Sequence, residues 1–264
     1  MLRRGTAYAL AGVDDGLVAA RALTGVASHR SAARHHGFAL PPGPDHHDVL
    51  LPPRAHRSSV PEDVRLHFGA VPDADRAAGV TNHVLTVVHC LRDLPLRDAL
   101  SVGDSALRAG VPHEQVGAAV ASLRGPGSAR ARQRFSLLDA RSENAFESSC
   151  RALLIEAGIT GFRPQVTVTH RGQFIGRVDL GDPARRIAIE CDGFATHGGK
   201  EAMVADCVRH TRLTAAGWRS LRFTWEQVMF REQWVLAQVA STIGWADRAR
   251  KATHRARQRP KKAA

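Results

Sequence analysis

Between residues 163 and 193, three short β-like runs follow one another with only tight turns between them. RPQVTVTH and QFIGRVDL alternate about His170-Arg171-Gly172, and GDPAR returns the chain into the apolar run RRIAIECDG. Period-two alternation punctuated by turn residues specifies antiparallel hairpins. Strand side chains alternate faces, so Glu190 and Asp192 share one face and Cys191 takes the other. The second turn brings Asp179 beside them. Three carboxylates gathered at strand ends repel one another unless a cation joins them, and Mg²⁺ takes oxygen ligands of this kind.

The flanks of this sheet are helical by pattern. ENAFESSCRALLIEAG reads as a helix over Glu143–Ala157, with Phe146, Cys150, Leu153, Leu154 and Ala157 on one face, Glu147 at its edge and Gly158 as its stop. After the acidic runs come a helix, KEAMVADCVRHTRLTAAG, a strand, WRSLRFTW, and a closing helix, EQVMFREQWVLAQVASTIGW. The order α-β-β-β-α-β-α over about 140–247 predicts a mixed sheet flanked by helices. Upstream, ASHRSAARHHGF predicts a helix between Ser28 and Gly37. PPGPDHH is a break, and DVLLPP, DVRLHFGAV and AAGVTN read as short β-like runs. HVLTVVHCLRDL, DALSVGDSALRAGV and the stretch around GPGS supply further helices. The fold class expected is α/β (α+β) with two domains, 1–138 and 139–247, followed by a disordered basic tail, 248–264.

The tail holds eight of the lysines and arginines and no acid, so a formal net charge of +12 leaves only about +4 on the rest. Arg248, Arg250, Lys251, Arg255, Arg257, Arg259, Lys261 and Lys262 form an arm suited to phosphate backbones, or a solvated terminus without a specific partner. Cys90, Cys150, Cys191 and Cys207 make no Cys-x-x-Cys pair, which argues against zinc; three of them sit in apolar periodic segments and are expected to be buried thiols. Ala7–Val13 is short and is followed by Asp14 and Asp15, so no secretory signal is read, and no run approaches a membrane span. A cytoplasmic, reduced protein with no membrane partner is the expectation. His29, His35, His36, His46 and His47 lack helical metal-pair spacing across the proline break and are read as solvated.

FESSCRALL, RPQVTV, GRVDL, IAIECDGFATH, the D-x-x-R of VADCVRHTRL and GWRSLRFTWEQV stand in an order and spacing that resembles the very-short-patch-repair-endonuclease-like branch of the PD-(D/E)xK nucleases. The resemblance spans about 105 residues. It implies a restriction-endonuclease-like mixed sheet and a metal-dependent DNA endonuclease using Mg²⁺ or Mn²⁺. Asp179 and Glu190 would ligate the ion with the Cys191 backbone carbonyl, and Glu147 would hold a water from the helix side. Asp192 stands where the superfamily usually has lysine, a replacement that also occurs in this branch. Asp192 would then ligate a second ion or orient water, while His197, Lys200 or Arg209 supplies the missing positive charge or proton transfer. Ordinary alternatives stand beside each role. Asp179 and Asp192-Gly193 suit turns. Glu147 with Arg151 forms an i,i+4 pair, and Asp206, Arg209 and His210 form surface pairs or turn Arg209 to a phosphate. Trp218, Trp225 and Trp234 are expected in the core.

LRRGTAYALAG, ASHRSAARHHGF and VTNHVLTVVHCLRDLPLRDALSVGDSALRAGV are similar to the AbiEi-type antitoxin and regulator family, whose members often begin with a winged helix-turn-helix. Here the wing-like MLRRGTAYAL comes first, without a preceding recognition helix. Two functions therefore compete: a Mg²⁺-dependent DNA endonuclease of repair, restriction or defence, and a DNA-binding regulator or antitoxin-like protein with an inactive nuclease-fold domain. A toxin partner or a homo-oligomer accords with the second.

Overall fold

Two-residue turns and short apolar runs generate the sheet that carries the acidic residues. In a computed structural model, β6 (Arg163–His170) and β7 (Gln173–Asp182) form a hairpin closed by Arg171 and Gly172, both at positive φ (50° and 79°). Two left-handed central residues make the tight turn whose twist matches the strands. The structure describes all residues except 1, 5–6, 10–13, 56–58, 194–199 and 259–264; side chains of 2–4, 7–9, 200, 202 and 249–258 are likewise left out. The chain divides into two compact units, Met1–Ser148 and Ser149–Ala264. That division falls inside the helix containing Glu147, ten residues beyond the boundary expected at 138.

In the first unit, β1 (Leu2–Arg4) pairs with β2 (Ala7–Ala9) as an antiparallel ribbon. α1 (Asp15–Ala22) follows, with Asp14 accepting from Gly16 N at its start. A three-stranded sheet has the order β3-β4-β5, from β3 (Val26–Ala27), β4 (His47–Leu51) and β5 (Val64–Phe68). α2 (His29–His35) lies between β3 and β4. AAGVTN, expected to be β-like, is instead the end of α3 (Asp73–Ala78), Gly79 at φ 78°, and a single bridge from Val80 to Ala27. Ala19, Ala20, Ala27, Ala32, Val49 and Leu51 pack together under this sheet. α4 (His83–Asp93), α5 (Leu96–Arg108), α6 (His113–Ser122) and α7 (Ser128–Phe135) build a helical core from Val87, Val88, Leu91, Val102, Val116 and Val120.

α8 (Ala145–Glu156) crosses from one unit to the other along the chain. The second unit holds a mixed sheet of order β6-β7-β8-β9, with β8 (Ile187–Asp192) antiparallel to β7 and parallel to β9 (Arg219–Thr224). The parallel pair needs a crossover, which α9 (Lys200–Ala215) supplies; its Leu213 packs with Val168, Val178 and Ala188. The closing helix is two helices: α10 (Trp225–Phe230), started by a reciprocal Thr224–Gln227 capping box, and α11 (Glu232–Gln258), separated at Arg231. The fold is the expected two-domain α+β arrangement, with a C-terminal mixed sheet flanked by helices.

Three expectations change. The tail expected to be disordered is helical as far as Gln258, because its Ala, Arg, Lys and Gln residues favour helix once α11 is nucleated. Trp218 packs beside the sheet core, but Trp234 is exposed; it meets Phe223 edge-on at 5.9 Å. Cys90 and Cys150 are buried, whereas Cys191 is partly accessible and Cys207 is exposed.

Candidate active site

The carboxylates of the second unit meet where the β7–β8 ladder ends. The paired residues run from Asp182↔Ile187 to Leu180↔Ile189, and one further step sets Asp179 against Glu190. There the side chains take over the backbone pairing. The Cys191 N–H donates to Asp179 Oδ2 at 2.7 Å, and the Asp179 N–H donates to the Glu190 carboxylate. This latch gives two carboxylates fixed positions at the end of an apolar strand, where an unpartnered charge would be costly.

β9 and α9 contribute the counter-charges. Arg222 lies in register with Glu190 on the neighbouring parallel strand. Its Nε and Nη2 hold Asp192 through both oxygens, at 2.6 and 2.9 Å. Its Nη1 reaches Asp206 Oδ2 at 2.7 Å and lies 3.0 Å from His210 Nε2. Arg209, one turn beyond Asp206 on α9, donates to Glu190 Oε1 at 2.7 Å and to Asp206 Oδ1 at 3.0 Å. Asp206 thus bridges both guanidiniums. Gly176 makes room for the Arg209 stem, since a Cβ there would stand 3.1 Å from its Cδ.

The electrostatics separate a buried inner pair from an open outer one. Glu190 is only 4% exposed. Burial pushes its carboxyl up to about 7; Arg209 pulls the other way, and the charge of Asp179 adds to the rise. Burial acts to raise Asp206 as well, but hydrogen bonds from Arg222 and Arg209 outweigh it and hold that carboxyl below its ordinary range. The hydrogen bond to Asp192, and after it the one to Asp206, holds the Arg222 guanidinium above its usual value. The Arg222 side chain is 40% exposed and that of Asp192 is 32% exposed. A surface pair of this kind contributes roughly 0–1 kcal/mol and separates readily.

Glu190, Asp192 and Asp206 face two arginines, and Asp179 stands beside Glu190 on the Cys191 N–H, so the carboxylates outnumber these arginines. Oxygen donors with surplus negative charge and a strained buried carboxylate fit a hard dication. Asp179, Glu190 and the Cys191 carbonyl are the residues that would hold it. Asp192, expected as a ligand, has both oxygens on Arg222. Among the described residues, the ligand atoms of this site do not gather three within 4.8 Å of one another; the trio that does is His29, His67 and Asp93, in the first unit.

Glu147 is 2% exposed. Its oxygens accept from Glu143 N at 2.9 Å and Asn144 Nδ2 at 2.8 Å, while Asn144 Oδ1 accepts from Glu147 N. It closes the start of α8 in capping-box fashion. His197, Arg259, Lys261 and Lys262 lie outside the described residues, as do the side chains of Lys200, Arg250, Lys251, Arg255 and Arg257. Arg248 is exposed on α11. Sequence reasoning missed Arg222; the available signal was an arginine between Leu221 and Phe223 in the strand RSLRFT, which lies parallel to the strand bearing Glu190. The solvated reading of His29 also fails, because it is fully buried.

The second unit thus combines a mixed sheet, a crossover helix and acidic strand ends. The restriction-endonuclease-like family REase_MTES_1575 matches residues 146–243. Two curated proteins of Mycobacterium tuberculosis are also similar: "Uncharacterized protein MT2308" of strain CDC 1551 / Oshkosh and "Uncharacterized protein Rv2248" of strain ATCC 25618 / H37Rv. Each is 31% identical over 169 residues, covering 63% of this chain and 61% of the relative. The chain therefore spans about 61% of the length of these relatives. No solved structure matches significantly. Among the described residues, no helix is long and apolar enough to cross a membrane.

Proposed function

We propose that the second unit is a DNA endonuclease of the very-short-patch-repair-like kind, dependent on Mg²⁺ or Mn²⁺ and acting in repair, restriction or defence. The observation that carries this reading is the Asp179–Glu190 latch, with a buried carboxyl raised to about 7 beside a second carboxylate. Asp179, Glu190 and the Cys191 carbonyl would hold the ion, which when bound polarises a phosphate oxygen and offsets charge at the scissile bond.

The chain's own residues supply the rest. Arg209 leaves Glu190 when a phosphate arrives, and Asp206 keeps its other terminal nitrogen in place. A guanidinium held from one side presents its remaining donors to phosphate oxygens. Arg209 thereby provides positive charge that the superfamily usually draws from lysine. Asp192 fixes Arg222, and Arg222 fixes Asp206, so the outer carboxylates position arginines rather than act on substrate. Glu147 sets the start of α8. Arg248 and the basic residues beyond it add non-specific affinity for the DNA backbone.

A second reading rests on the same ion pairs. Arg209 on Glu190 and Arg222 on Asp192 compensate two carboxylates without any metal. The domain then serves as a DNA-binding platform in an AbiEi-like regulator, with a toxin partner or a second copy. Nicking of supercoiled plasmid separates the two. Cleavage that needs Mg²⁺ or Mn²⁺ and disappears in Glu190→Ala supports the nuclease. Binding that is unchanged by EDTA, without cleavage, supports the regulator.

A further inference from the structure

The first unit contains a second gathering of ligand-type side chains, independent of the acidic site. His29 opens α2, His67 lies on β5, and Asp93 ends α4. One nitrogen from each ring and one carboxylate oxygen lie within 4.8 Å of one another. His29 is fully buried, His67 is half-buried and Asp93 reaches solvent. We infer that His29, His67 and Asp93 bind a first-row transition dication of the zinc class, with water completing the shell on the open Asp93 side.

Each ligand ring has an oxygen partner at one nitrogen. His67 Nε2 meets Asp48 Oδ1 at 2.8 Å, which leaves Nδ1 for an ion. His29 Nδ1 meets Ser28 Oγ at 2.9 Å, which directs Nε2 to the centre. A ligand imidazole held by an oxygen at its other nitrogen is the recurrent arrangement around protein-bound metals. His29 Nε2 and Asp93 Oδ2 lie 3.1 Å apart, near the roughly 3.3 Å that separates neighbouring ligands around tetrahedral zinc. An ion can therefore replace the proton they share, provided that Arg92, whose Nε and Nη2 hold the same Asp93 oxygen at 2.9 and 2.8 Å, moves aside. Two imidazoles and a carboxylate suit zinc-class ions better than Mg²⁺.

The surroundings are short of a partner. His89 is 4% exposed; its ring stacks on His29 at 5.0 Å, and its buried Nδ1 has no hydrogen-bond partner among the described residues. Asp48 is fully buried; it takes Arg30 N at 3.2 Å and stands 3.3 Å from His46 Nε2, anchoring the histidine side of the cluster. His29 and His67 stack at 3.6 Å, and binding opens that stack by turning His67 toward the ion. His29 also sits at φ 45°, a conformation that costs a non-glycine residue energy and recurs at ligand sites.

The test is Co²⁺ titration of the EDTA-stripped full chain, read by visible absorption and by displacement with Zn²⁺. In excess Mg²⁺ one Co²⁺ should bind, with the intense bands of a low-symmetry, nitrogen-containing shell. His67→Gln and Asp93→Asn should each weaken it at least about 100-fold, a loss no smaller than removing a ligand's supporting hydrogen bond produces. Far-UV circular dichroism must show both variants folded, and an excess of Mg²⁺ throughout keeps the all-oxygen site of the other unit from taking the Co²⁺. Absence of tight Co²⁺ binding in excess Mg²⁺ overturns the inference, as does binding that survives both variants.

Discussion

Glu190→Gln should remove a pH-dependent penalty from the second unit. Burial raises the Glu190 carboxyl from 4.5 to about 7 in the folded protein. Such a group favours the folded state while protonated, so its contribution is fully present below about pH 4.5 and is lost as pH rises through about 7. At about 1.4 kcal/mol per unit, the contribution changes by roughly 2.5 kcal/mol between pH 5 and pH 8. Glutamine cannot ionise, so the variant lacks this change. Whatever fixed cost it carries in replacing the bond to Arg209, wild type should lose about 2.5 kcal/mol relative to it between those two pH values. All four tryptophans, Trp218, Trp225, Trp234 and Trp245, belong to the second unit, so urea unfolding followed by tryptophan fluorescence in EDTA reports on the right part of the chain. Parallel pH profiles for wild type and variant would refute the argument that burial and Asp179 together strain this carboxyl.

Three further outcomes follow from the geometry. Arg222→Ala should cost less than about 1 kcal/mol of stability, since its pairs are largely solvated, yet reduce cleavage by roughly 10²-fold through loss of the Asp192–Asp206 framework; equal and small effects on both would show that Arg222 is only a surface residue. Gly103→Ala should destabilise the first unit by about 1–3 kcal/mol, read by circular dichroism, because the added Cβ would collide with Leu138. Deletion of 248–264, which removes eight basic residues, should flatten the salt dependence of DNA binding by about 0.9 in log–log slope for each phosphate that the tail neutralises; an unchanged slope would exclude the tail from the interface.

The acidic site was legible in the sequence because alternation and turn chemistry are local. RGQ and GDPAR fix the strand order around Asp179 and Glu190, and period two sets Glu190 and Asp192 on one face. Their counter-charges were not legible. Whether Arg222 or a metal answers Asp192 depends on β9 lying parallel to β8, a pairing made across a 16-residue helix. Glu147 was read as a site or surface carboxylate, but its local bonds to Glu143 and Asn144 close a helix. The histidines show the same limit more sharply. His29, His67 and Asp93 are far apart in the chain and carry no ligand spacing, so only the β3-β4-β5 sheet with α2 and α4 brings them together. The length of the closing helix was also obscured, since Arg231 divides α10 from α11 without glycine or proline to mark the break.

The most direct test of the Asp179–Glu190 site is cleavage of supercoiled plasmid by the full chain in Mg²⁺ and in Mn²⁺, comparing wild type with Asp179→Asn and Glu190→Gln. The account predicts nicking by wild type that EDTA abolishes, with both variants reduced at least roughly 10²-fold, as expected when charge stabilisation at the reacting phosphate is removed. Wild-type protein that binds DNA but leaves it intact under both metals, or variants that cut as well as wild type, would contradict it.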